Sequence, residues 1–165
     1  MGRRKSRKKI IIRKHYSEGV NDEALYYWIY QKNARQFFEL LMNNQVKTVC
    51  DVRLNNNSQL AGFTKSSDLP YFLEKIGNIK YVHWVRVAPE KELLKKWQKK
   101  EISWRQYEEE YLTMLMRRNI QEMDIFEQLD RGCLLCSEPT AEQCHRRLLA
   151  EYLKNSIPDL EIIHL

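Results

Sequence analysis

The chain has 165 residues, 43% of them hydrophobic and 11% aromatic, which is enough to build a core and argues against disorder. Its net charge is +6, but Arg3, Arg4, Lys5, Arg7, Lys8 and Lys9 supply six positive charges, and the remaining lysines and arginines equal the 22 acidic residues. No apolar run approaches the roughly 20 residues that span a bilayer, and no hydrophobic stretch follows the charged start as a secretory leader would require, so a cytoplasmic protein is expected.

Residues 1–9 read as a basic, flexible tail. It either keeps the chain soluble or attracts phosphates of nucleic acid or of a membrane surface without sequence preference. Residues 10–165 read as a single α/β domain. Ile10-Ile11-Ile12 suits a first strand, and 15–19 a loop. Residues 22–44 have a helical pattern, with Asn33 placed to cap a fresh helix bearing Phe37, Phe38, Leu40 and Leu41 on one face. Tyr26, Tyr27, Trp28 and Tyr30 then form an aromatic group suited to helix packing or a dimer face, with base stacking as the alternative.

The clearest strand is 46–52, followed by a polar stretch, 53–64. Ser67 or Asp68 caps a helix through Ile76 that tolerates Pro70 in its first turn and stops at Gly77-Asn78. Residues 79–87 read as a strand, and a helix follows from Pro89 to about Lys100. Ser103 and Gln106 fit a capping box at the start of the next helix, through about Arg118. A short helix over 121–129 precedes Gly132, a buried strand 133–136, a helix from about Ala141 to Lys154, and a last strand over 160–164. Strands alternating with helices imply a mostly parallel sheet with helices on both faces. The excess of helix between Pro89 and Leu129 implies a helical insertion beside it.

Chemistry concentrates where the strand 133–136 hands over to a helix. Cys136, Glu138, Cys144, His145 and Arg146 all fall there, at the edge of an α/β sheet where ligands bind and where a helix N-terminus offers free N–H groups. Four cysteines in an intracellular chain suggest free thiols, a metal site or redox chemistry before a disulfide framework. Cys133 and Cys136 do not form a metal knuckle, because residues three apart in a strand point to opposite faces. Cys133 and Cys50 are expected in the core. Cys136 and Cys144 are the candidate nucleophiles or redox thiols, activated by neighbouring cations and the helix end; otherwise they brace the loop. Zinc would need His15 or His83 as well, and Cys144 and His145, as helical neighbours, would diverge by about 100°. No metal and no cofactor is therefore expected. Asp51-Val52-Arg53 ends the best strand at the same edge. Arg53 could fork onto a phosphate or carboxylate, with Asp51 to orient it and Ser58 and residues 55–57 for further hydrogen bonds; the alternative is an Asp–Arg pair that stabilises the loop.

Asp51-Val52-Arg53, Ser58, Phe63, Tyr81-Val82-His83, Leu135-Cys136-Ser137-Glu138, Cys144-His145-Arg146 and Ile163-His164 together resemble the domain of unknown function 488 family, over about residues 35–165. The resemblance implies an α/β fold and a site but no settled reaction. The family's Thr-x-Gly-His-Ser is here Lys14-His15-Tyr16-Ser17, its proline before the serine is Asn56, and its Leu-Gly after the Tyr-x-His strand is replaced in the region Arg86-Val87-Ala88-Pro89.

The expected function is an enzyme with an anion-binding cleft. Cys136 or Cys144 would react, Glu138 and His145 would serve as acid/base or orienting groups, and Asp51, Arg53, Ser58 and Arg146 would hold an anionic substrate such as a nucleotide or nucleic-acid phosphate. Three other readings stand beside it: a non-enzymatic nucleic-acid-associated module using the basic tail, a structural or regulatory subunit whose cysteine–arginine block only stabilises a loop, and rhodanese-like sulfur transfer. Against the last, the compact Cys-x5-Arg loop is missing, because position 142 is Glu142.

Overall fold

Val49-Cys50 and Cys133-Leu134-Leu135-Cys136 are apolar at every position, as strands buried on both faces must be. They lie in β3 (Thr48–Asp51) and β5 (Gly132–Cys136), whose nine residues are all buried. The protein is described here by a computed structural model covering residues 11–16, 20–28, 33–57, 62–123, 126–137, 142–157 and 160–164. The basic tail, Ser58 and Glu138 lie outside the described residues.

The other strands are β1 (Ile11–Tyr16), β2 (Val20–Trp28), β4 (Lys80–His83) and β6 (Ile162–His164). The order is β1-β2-β5-β3-β4, with β6 joining β2 at Ala24 and Ile162. β2, β5, β3 and β4 run parallel, and β1 is antiparallel to β2. The helices are α1 (Ala34–Asn43), α2 (Leu69–Gly77), α3 (Lys91–Gln98), α4 (Trp104–Arg117), α5 (Phe126–Leu129) and α6 (His145–Ser156). This is the expected single α/β domain, and no described helix is long and apolar enough to cross a membrane.

Alternate strand residues enter different cores, as the two-residue period requires. Val49, Cys133 and Leu135 pack with Phe37, Phe38 and Leu41 of α1 and Leu69 and Leu73 of α2. Cys50, Leu134 and Cys136 pack with Tyr107, Tyr111 and Leu115 of α4 and Leu148, Leu149 and Leu153 of α6. Cys133 and Cys136 thus face opposite ways, and Cys133 and Cys50 are core residues, as expected.

Two of the expected side-chain N-caps form, whereas Asp68, the N-cap residue of α2, makes no side-chain capping hydrogen bond. Asn33 and Ser103 each form a reciprocal capping box, with Gln36 and Gln106. Asn78 ends α2 in the left-handed conformation, φ 49°, which asparagine tolerates better than most residues.

Four expectations change. Residues 22–28 are strand, not helix, so Tyr26, Tyr27 and Trp28 are not helical neighbours. β2 pairs on one side with β1 and on the other with β5, and this two-sided pairing suits aromatic residues and overrides the local pattern. β1 runs through His15 and Tyr16, which the sequence suggested as loop. The strand expected over 79–87 ends at His83: Trp84 N donates to Asp51 O (2.9 Å), and a 3-10 turn, Val85–Val87, then takes Val87 into the core. The helix expected over 121–129 is a 3-10 turn, Ile120–Glu122, followed by α5.

Candidate functional site

Asp51 closes β3 in full burial, where a lone carboxylate would be very costly. Its partner is two residues away. Arg53 Nε donates to Asp51 Oδ1 (2.8 Å) and Nη2 to Oδ2 (2.6 Å), while the Arg53 backbone N–H also reaches Oδ1 (3.1 Å). Tyr81 Oη donates to Oδ2 (2.8 Å), and Arg53 Nη2 continues to Thr64 O (2.9 Å). Burial works against the Arg53 charge, but the Asp51 hydrogen bonds and charge outweigh it and raise its pKa. Arg53 therefore spends its fork inside the protein, on Asp51.

This network also fixes the backbone that leaves β3. His83 Nε2–H donates to Arg53 O (2.9 Å), and Asn56 Nδ2 lies 3.2 Å from both His83 Nδ1 and Tyr81 Oη. That makes Nε2 the protonated nitrogen of His83. The preceding carbonyl, Val52 O, lies 3.1 Å from His145 Nε2 and accepts a hydrogen bond from it. Two successive carbonyls after Asp51 thus orient two imidazoles. This role for the Asp-Val-Arg segment, and those of Thr64 O and Tyr81, escaped the sequence reading, because a motif does not reveal which backbone atoms it holds.

The second half of the site is assembled at α6. Cys144 is the N-cap of that helix, with extended backbone (φ −136°, ψ 128°), and His145 is its first residue. The divergence expected of helical neighbours therefore does not apply, and both side chains meet Cys136. The Sγ atoms of Cys136 and Cys144 lie 3.1 Å apart, and with one His145 nitrogen they form a buried group whose atoms all lie within 4.8 Å of one another. None of the four cysteines is in a disulfide. Arg146 follows in the first turn of α6 and is also buried. His83, considered from sequence as a further ligand, stays with Asn56 and Arg53. His15 is on β1, at the antiparallel side of the sheet.

The remaining thiols are held neutral. Burial pushes Cys50 and Cys133 well above the ordinary thiol range. The Cys136–Cys144 cluster also borders aromatic packing, since the His145 ring meets Tyr111 edge-on at 5.8 Å and Tyr111 stacks on Tyr107 at 6.2 Å.

Tyr81 gives the network a measurable signature. Burial first, then the Asp51 charge and hydrogen bond, push its phenol up to about 12. In an alkaline absorbance titration Tyr81 is expected to ionise above the ordinary tyrosine range, and Tyr81→Phe should remove one late step. A folded pKa above the unfolded value of about 10 contributes stability below pH 10, and this contribution is lost as pH rises through 10 toward 12. Indistinguishable titrations of wild type and Tyr81→Phe would refute the assignment.

No curated protein and no solved structure matches the chain significantly. A family profile described as "Domain of unknown function DUF488" matches residues 33–153. That stretch holds α1, the Asp51–Arg53 network, Tyr81, His83 and the Cys136–Cys144–His145 cluster, so the chain that builds this site belongs to the DUF488 family.

Proposed function

We propose that the protein is a cytoplasmic enzyme whose reacting centre is the Cys136–Cys144–His145 cluster and whose substrate is anionic, of the nucleotide or nucleic-acid phosphate class. The observation that carries this reading is the 3.1 Å approach of two buried sulfurs with an imidazole nitrogen beside them. A thiol this close can donate to its neighbour and stabilise it as thiolate, the nucleophilic form. Arg146 and the α6 N-terminus add positive character for the thiolate and for an anion. His145, its ring oriented by Val52 O, is the proton-transfer or orienting group, with Glu138 in the same role. Asp51 and Arg53 serve the substrate by fixing the loop, and Ser58 contributes hydrogen bonding. The basic tail, through Arg3, Arg4, Lys5, Arg7, Lys8 and Lys9, recruits nucleic acid. Four cysteines without a disulfide suit a reducing compartment.

The test is iodoacetamide labelling of the native chain at neutral pH, read by peptide mass spectrometry. Cys136 or Cys144 should react while Cys50 and Cys133 stay unmodified, and adenosine monophosphate or a short oligonucleotide should slow the reaction. If all four cysteines react only after denaturation, the thiol enzyme is rejected. Labelling that is insensitive to both anions removes the substrate class.

A further inference from the structure

Resting on the cluster as the reacting centre, we infer that Cys136, Cys144 and His145 bind one thiophilic divalent cation of the zinc class, leaving a fourth position for water or substrate. The three side chains come from the end of β5 and the start of α6 and are buried to 0%, 0% and 3% relative exposure. Two sulfurs and one imidazole nitrogen form a ligand set typical of catalytic zinc, which uses three protein ligands and keeps one position open.

The imidazole supplies the second observation. Its Nε2–H is committed to Val52 O at 3.1 Å, which makes Nδ1 the basic nitrogen. Metal-binding histidines commonly donate one ring nitrogen to a carbonyl while the other ligates, and here one ring nitrogen lies within 4.8 Å of both sulfurs.

The spacing is compatible with loading. Zinc–sulfur bonds of about 2.3 Å in a tetrahedron place two sulfurs about 3.8 Å apart, so the 3.1 Å pair must open by less than an ångström. Such an opening falls within side-chain rotation of Cys144, whose extended backbone lies outside the helix. On loading, each thiol gives its proton to solvent, about two per ion, while the neutral imidazole gives none. The loaded thiolates are ligands, and the group in the fourth position becomes the one the cation polarises.

The test uses the full chain, reduced and stripped of cations with a chelator, and cobalt(II) as the probe. We expect one ion per chain, a thiolate-to-cobalt charge-transfer band, the intense visible bands of a tetrahedral ion, and displacement by zinc. Cys144→Ser and His145→Gln should each weaken binding by more than the roughly 10–100-fold that loss of an outer-shell partner costs. Cys133→Ala, on the opposite face of the sheet, should leave it unchanged. Should a cluster variant fail to fold, the wild type still decides: zinc should protect Cys136 and Cys144 from iodoacetamide. Absent cobalt bands with zinc-insensitive alkylation would overturn the cation site and leave a thiol enzyme standing. Absent bands with unreactive thiols would end both readings. A Cys136–Cys144 disulfide that forms in air equally fast with and without zinc would also overturn the site.

Discussion

Asp51→Ala should cost about 3–5 kcal/mol in urea unfolding, because it leaves the Arg53 guanidinium buried without its counter-charge. The side chains of the pair are only 0% and 4% exposed, so solvent screens little of the loss. Tyr81 Oη and the Arg53 backbone N–H lose an acceptor as well. Arg53→Met should be similarly damaging, since it strands the Asp51 carboxylate. The double variant Asp51→Leu/Arg53→Met removes both charges and should be more stable than either single variant, as apolar replacement of a buried pair often is. A cycle in which the two single losses simply add would mean that the pair is not coupled, and the network described above would be wrong. The variants also test how the site is held. If the segment after Asp51 orients His145 through Val52 O, stably folded double variants should still lose selective labelling of Cys136 or Cys144.

How much of this was legible in the sequence follows from the range of the forces involved. Caps are local, and Asn33, Ser103 and Gly77-Asn78 were read correctly because each signal lies within a few residues of its effect. The buried strands β3 and β5 were legible from their apolar runs, and the opposite facing of Cys133 and Cys136 from the strand period alone. β2 was not, because its two neighbours are distant in sequence: Leu25 pairs with Ile11 and with Cys133. Nothing local reports that pairing.

The site divides in the same way. That Cys136, Cys144 and His145 lie at one strand–helix junction could be read directly. Their convergence could not, because it depends on Cys144 standing one residue outside α6, and helix boundaries are uncertain by one or two residues. Likewise Arg53 looked like an anion fork by residue type. Its commitment to Asp51 is a matter of burial, which a polar stretch without periodicity does not disclose.

Gly132→Ala should rank with the ion-pair variants, costing about 3 kcal/mol, at the upper end of ordinary overpacking. A Cβ on Gly132 would sit 2.3 Å from Gln128 O and 3.1 Å from Leu129 Cα. These are backbone atoms at the turn from α5 into β5, so no rotamer change relieves the contact. Gln128 is also tied elsewhere: its carbonyl accepts from Cys50 Sγ (3.8 Å) and its side chain from Trp84 Nε1 (2.8 Å). Pushing it outward strains β3 and β4 together with the start of β5, four residues before Cys136. Gly77→Ala provides the contrast, because its Cβ would meet only side-chain atoms, Ile79 Cδ1 at 2.8 Å and Cγ1 at 3.0 Å, which can shift where backbone cannot, and alanine favours the helix it ends. Gly77→Ala should therefore fall within about 1 kcal/mol of wild type. Thermal or urea unfolding of the two variants decides the matter: equal midpoints would show that the α5–β5 turn yields as readily as a side chain, and that Gly132 is not what sets the start of the strand carrying Cys136.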